Sequence, residues 1–124
     1  MREAKRPASS TVLVVDDEPD VRYLLRVTLE LAGYQVVEAK HGEAALELAR
    51  RSAPQLVVTD QMMPVMNGSE LIERLRADGS TESIPIMMVS GTRSAQPGAD
   101  AVLGKPFDPA ELIVLVDRLT GKEQ

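Results

Sequence analysis

Thr11-Val-Leu-Val-Val-Asp-Asp-Glu18 decides the fold. A short run rich in β-branched side chains stops at paired acids, which reads as a buried strand closed by a turn. Three further runs have the same form. Gln55–Thr59 ends in Asp60, Ile86–Val89 ends in Ser90, and Ala101–Gly104 ends in Lys105-Pro106. Strands that are apolar throughout belong to parallel sheets covered on both faces. Ligands of such sheets bind at the carboxyl ends of the strands. If the four runs lie side by side, Asp16, Asp17, Asp60, Ser90 and Lys105 converge at one edge. Three carboxylates, a hydroxyl and an amine suit a hard cation and a phosphoryl group.

Helical periodicity fills the gaps between the runs. Pro19 can open a helix at its first position, with Leu24, Leu25, Leu29 and Ala32 as a stripe and Gly33 as its close. Tyr34–Glu38 is predicted as a further strand, and Ala44–Arg51 as a helix stopped by Pro54. A loop, Gln61–Asn67, leads to a helix over Ser69–Asp78. The last helix has the strongest start signal, with Asp108 as N-cap, Pro109 at the first position and Glu111 three residues past the cap. Leu112, Ile113, Leu115, Val116 and Leu119 form its inward face. Alternating strands and helices predict an α/β domain with a doubly wound parallel sheet.

Composition narrows the function. The 124 residues fit one domain, and 44% apolar residues supply its core. A net charge of −5 argues against binding to nucleic acid or to an anionic membrane. No cysteine is present, which removes thiolate chemistry and fits a reducing, cytoplasmic setting. Residues 1–10 carry Arg2, Lys5 and Arg6 but no apolar stretch after them, so they read as a disordered leader rather than a secretory signal. The domain is expected over 11–120, with a short C-terminal tail at 121–124.

Val14-Val-Asp-Asp-Glu18, Asp60-Gln-Met-Met-Pro-Val-Met-Asn-Gly68, Ser90-Gly91 and Lys105-Pro-Phe107 together resemble the receiver domain of two-component response regulators. The resemblance runs from Thr11 to about Thr120. It implies a five-stranded, flavodoxin-like fold. It also implies transfer of a phosphoryl group from the phosphohistidine of a sensor histidine kinase, or of a phosphotransfer protein, to Asp60. Such a protein catalyses only its own phosphorylation and a slow autodephosphorylation.

The chemistry suits each residue type. Asp60 can act as a carboxylate nucleophile on phosphorus. Positioning and charge neutralisation dominate such transfers, and Mg2+ supplies both through oxygen ligands. Asp17 and Asp60 are the expected direct ligands, with Asp16 acting through water and the Met62 backbone carbonyl completing the set. Lys105 and the Ser90 hydroxyl would take phosphoryl oxygens. In the family the side chains at Met62 and Thr92 would flank the attacking water. Plainer roles compete: adjacent acids before a helix often serve only its dipole, and Asp60 alone could be a turn residue. Met62, Met63 and Met66 read as packing residues, His41 as an exposed loop or capping residue, and Phe107 as a core anchor.

Two features depart from the family. Val102 stands three residues before Lys105, where the family has an aromatic that swings inward on phosphorylation. Valine is small and stiff at χ1, and cannot report by changing rotamer. Only fourteen residues separate Ser90 from Lys105, about two turns of helix fewer than the family carries. The helix between the fourth and fifth strands is therefore expected to be shortened or absent. In the family that helix forms part of the signalling and dimer face. The uncovered fourth strand should repack under the 91–100 segment or form a protein–protein contact, such as a homodimer that depends weakly on phosphorylation. Two other functions stay open: an unphosphorylated receiver-like interaction module, and a metal-dependent phosphohydrolase or nuclease. Against the last, haloacid-dehalogenase-type phosphatases place a second acid two residues after the nucleophile, and here Met62 occupies that position.

Overall fold

The computed structural model describes residues 11–92 and 96–121; the expected leader, 1–10, and the end of the expected tail, 122–124, lie outside the described residues. In chain order the elements are β1 (Thr11–Val15), α1 (Pro19–Leu31), β2 (Gln35–Ala39), α2 (Gly42–Ser52), β3 (Leu56–Asp60), α3 (Gly68–Ala77), β4 (Ile86–Ser90), β5 (Ala101–Gly104) and α4 (Pro109–Thr120). The five strands form one parallel sheet in the order β2-β1-β3-β4-β5. This is the doubly wound α/β sheet that the apolar runs predict. No helix among the described residues is long and apolar enough to cross a membrane.

Strand alternation divides the core between two faces. Leu13, Val57, Ile86 and Met88 pack with α2 and α3 through Ala45, Leu46, Leu71, Ile72 and Leu75. Val12, Val14, Val58, Met87 and Val89 pack with α1 and α4 through Leu25, Leu29, Leu112 and Val116. Both β3 and β4 are buried at every position, as a strand covered on both sides must be. Each large aliphatic side chain so buried contributes about 1.5–3 kcal/mol.

Local capping shifts several predicted boundaries. The α2 helix starts two residues early because His41 Nδ1 accepts the Ala44 N–H at 3.2 Å, giving this histidine the capping role. The α3 helix starts at Gly68 because Asn67 and Glu70 form a reciprocal capping box. At α4, Asp108 accepts the Ala110 N–H at 2.9 Å as predicted. The β2 strand begins one residue late. Tyr34 instead turns into the core, and its hydroxyl donates to Asp117 on α4. Leu24, predicted for the inward stripe of α1, is 47% exposed.

The connection from β4 to β5 contains no helix among its described residues. A clasp centred on Arg76 stands in its place. Arg76 Nη1 donates to the carbonyls of Glu82 and Ile84, each at 2.7 Å, and Nη2 donates to the Gly98 carbonyl and to Asp100 Oδ2. Asp100 then meets both backbone groups of Ile86: its carboxylate accepts the Ile86 N–H at 2.8 Å, and its own N–H donates to the Ile86 carbonyl at 2.7 Å. Gly98 has φ 84° and lies so close to α3 that a Cβ there would sit 2.7 Å from Ile72 Cγ2. Ala99 packs on the same core. Ile86 and Met88 are consequently fully buried. The expected repacking of β4 under the loop is observed within the chain.

Candidate functional site

Parallel register brings the strand ends level. Val15 lies opposite Thr59, Asp60 opposite Val89, and Ser90 opposite Gly104. Asp16 and Asp17 therefore follow β1, Asp60 and Ser90 end β3 and β4, and Lys105 follows β5 along the same edge. A carboxylate oxygen from each of Asp16, Asp17 and Asp60 lies within 4.8 Å of the other two. Asp16 and Asp60 are buried, and Asp17 is the exposed member. Lys105 Nζ donates to Asp60 Oδ1 at 3.0 Å.

The two oxygens of Asp16 differ. Oδ1 accepts the Glu18 N–H at 2.9 Å. Oδ2 is buried and has no hydrogen-bond partner, with Lys105 Nζ 3.9 Å away. Burial pushes the Asp16 carboxyl up to about 6; the Glu18 N–H opposes that rise, and the charge of Asp60 adds to it. Lys105 responds in the complementary way. Burial opposes its charge, but the hydrogen bond and charge of Asp60 outweigh burial and hold its pKa above the ordinary lysine value. A buried carboxylate oxygen without a donor, beside two further carboxylates, fits a divalent cation with oxygen ligands. Asp16, Asp17 and Asp60 thus have the donor chemistry to hold one.

Backbone contacts fix the nucleophile candidate. The Thr59 hydroxyl donates to the Asp60 carbonyl at 2.9 Å. A Cβ at residue 68 would fall 2.6 Å from that same carbonyl, so only glycine lets α3 approach so closely. Gln61 Oε1 accepts the Ser69 N–H at 2.9 Å and secures the loop to α3. The Lys105 N–H donates to the Ser90 carbonyl at 2.8 Å, and Ser90 Oγ accepts the Thr92 N–H at 3.3 Å.

Not every expected placement is met. Met63 and Met66 pack in the core, but the Met62 side chain is 78% exposed and packs little. Phe107 is half-buried. It lines a surface hollow with Val21, Leu24 and Pro106, so it anchors the edge of the core and not its centre. The sequence reading missed Arg22, whose guanidinium donates to the Asp16 carbonyl at 2.8 Å and to Glu38 at 3.0 Å. Nothing in the sequence marks this contact, because a backbone oxygen receives it; Arg26, four residues on, also pairs with Glu38.

A family model described as the response regulator receiver domain matches residues 12–117. The chain is 37% identical over 110 residues to the phosphate regulon transcriptional regulatory protein PhoB of Pseudomonas aeruginosa, covering 83% of this chain and 48% of that protein. It spans about half the length of the curated regulators it matches. The chemotaxis response regulator CheY4 of Vibrio cholerae superposes with a TM-score of 0.80 at 33% identity, over 89% of this chain and 98% of that one. The receiver domain of a sensor histidine kinase from Pseudomonas aeruginosa, solved with a magnesium ion coordinated in its active-site cleft, superposes with a TM-score of 0.81 at 26% identity, over 90% of this chain and 98% of that one. Sequence, fold and the strand-end cluster agree: this chain belongs to the receiver-domain family of two-component response regulators.

Proposed function

We propose that Asp60 accepts a phosphoryl group from the phosphohistidine of a sensor histidine kinase or phosphotransfer protein, in a reaction supported by Mg2+. Asp17 and Asp60 would hold the ion directly, Asp16 through water, and the Met62 carbonyl would complete the set. When bound, the ion neutralises negative charge on the phosphoryl oxygens. The Asp60 carboxylate attacks phosphorus, the P–N bond breaks, and the imidazole leaves with a proton from solvent. The product is an acyl phosphate on Asp60. Lys105, already on the Asp60 carboxylate, shifts to a phosphoryl oxygen, and the Ser90 hydroxyl donates to another. Slow hydrolysis then returns the free carboxylate.

The observation that carries this reading is the 3.0 Å contact between Lys105 and Asp60 beside the partnerless, buried Asp16 Oδ2. The magnesium ion in the related kinase receiver supports the choice of cation. Intact mass after incubation with acetyl phosphate tests it. The wild type should gain one phosphoryl group with Mg2+ and none with EDTA, and Asp60→Asn should gain none in either. Label on Asp60→Asn at wild-type stoichiometry would refute the assignment. An unlabelled wild type would favour the unphosphorylated interaction module, a reading to which Val102 and the lack of a helix among the described residues of the β4–β5 connection lend weight.

A further inference from the structure

We infer that Arg22 is a positioning residue for the cation site: it fixes the Asp16–Asp17 turn and thereby sets Mg2+ affinity. This rests on the cation reading above. The ladder between β1 and β2 ends with Val15 opposite Ala39, and Asp16 adds one more bond, from its N–H to the Ala39 carbonyl at 3.2 Å. Past that point Asp17 leaves the sheet. The Asp16 carbonyl lies in the planar peptide that joins Asp16 to Asp17, so its direction sets where the Asp17 side chain starts.

Arg22 Nη1 donates to that carbonyl at 2.8 Å, while Nε donates to Glu38 Oε1 at 3.0 Å. Glu38 sits on β2 opposite Val14, and its other oxygen is 3.0 Å from Arg26 Nε. The Arg22 side chain is only 18% exposed. One rigid fork on α1 therefore spans the end of β1 and the neighbouring β2. Its hydrogen bonds go to a carbonyl and to Glu38, so it acts on the site through the Asp16 backbone. Three crowded carboxylates repel one another when no cation is bound. The tether resists the opening of the turn which that repulsion favours. Groups that orient metal ligands from behind typically change affinity by ten- to a hundredfold when removed.

The test compares wild type, Arg22→Met, Arg22→Lys and Arg50→Met, the last breaking an exposed ion pair with Asp78 elsewhere on the surface. Mg2+ affinity is read by titration calorimetry, and phosphorylation by acetyl phosphate across a range of Mg2+. Arg22→Met should bind Mg2+ roughly tenfold more weakly, yet reach the wild-type phosphorylation rate at saturating Mg2+. Arg22→Lys, whose compact ammonium cannot span both partners, should fall between, and Arg50→Met should match wild type. Wild-type affinity in Arg22→Met overturns the inference and leaves the proposed function standing, whereas a wild type that binds no Mg2+ overturns both. A saturating rate that falls along with affinity also overturns it, because Arg22 would then act on the chemistry. If Arg22→Met does not unfold cooperatively, Glu38→Gln takes its place with a smaller loss of affinity expected, and wild-type affinity there overturns the inference.

Discussion

Two aspartates at opposite edges of the sheet show how differently one fold can treat a carboxylate: Asp100 is exposed and paired, whereas Asp16 is buried and only half paired. At the amino edge of β4, Asp100 and Arg76 form a closed set: the carbonyls of Glu82, Ile84 and Gly98, the Ile86 N–H and the Asp100 carboxylate all have donors or acceptors in the clasp. At the carboxyl edge, Asp16 is buried with one oxygen unpartnered and clusters with Asp17 and Asp60, and Lys105 donates to Asp60. Satisfied polar groups hold a segment in place, while unsatisfied ones cost stability unless something else completes them. The clasp therefore reads as scaffold, and the acid cluster as a site prepared for a ligand.

The largest effect that could break this contrast lies at Asp16. Its folded carboxyl titrates near 6 against 3.8 for the ordinary group, so the native state holds its proton more tightly than the unfolded chain. The sign follows from linkage: in EDTA the Asp16 contribution is present below the ordinary carboxylate pKa and is lost as pH rises through 6, by about 3 kcal/mol. Asp16→Asn should abolish that loss and be the more stable protein at pH 7. Urea denaturation at pH 4, 5, 6 and 7 measures it, and a flat wild-type profile would show that Asp16 carries no strain. The window avoids Asp78, whose carboxyl is held down near 2 by the Arg50 and Ser80 hydrogen bonds and whose contribution is lost only below the ordinary carboxylate range.

At the other edge, Arg76→Met should cost about 2 kcal/mol, as expected when a charged donor is taken from several acceptors. Hydrogen exchange should quicken at Asp100 and at Ile86, the groups that the clasp ties together. Phosphoryl uptake at Asp60 should be unchanged, which separates scaffold from site. Slower uptake would join the two edges and dissolve the comparison. The smallest effect is at Gly98, where φ 84° and the 2.7 Å approach to Ile72 Cγ2 oppose a side chain. Gly98→Ala should cost about 1 kcal/mol, read from the shift in urea midpoint. No cost would mean that the loop lies more loosely on α3 than its geometry indicates.

Much of this architecture was legible from residues alone. Apolar runs closed by Asp, Ser and Lys located the strands and the ends that converge, because burial on both faces forces apolar continuity. The fourteen residues between Ser90 and Lys105 already argued against a full helix there. The Asn67–Glu70 capping box is also a readable pattern, and it sets the helix start one residue before the Ser69 that periodicity alone predicts. Other features left no usable sequence signal. The clasp joins Arg76 to carbonyls six, eight and twenty-two residues away, and carbonyls look the same in every residue. Arg22 meets the site through a backbone oxygen, for the same reason.

The sequence by itself determined the element order, the parallel α/β class and the residue types at the strand ends, since periodicity and turn chemistry act locally along the chain. Only the tertiary structure decided which oxygens are paired. Register set the carboxylates of Asp16, Asp17 and Asp60 within 4.8 Å of one another and left Asp16 Oδ2 buried without a donor. It also let the 96–100 loop bury Ile86 and Met88 without a helix. Hydrogen bonding and desolvation depend on what surrounds an atom in space, and those neighbours come from residues far apart in the chain.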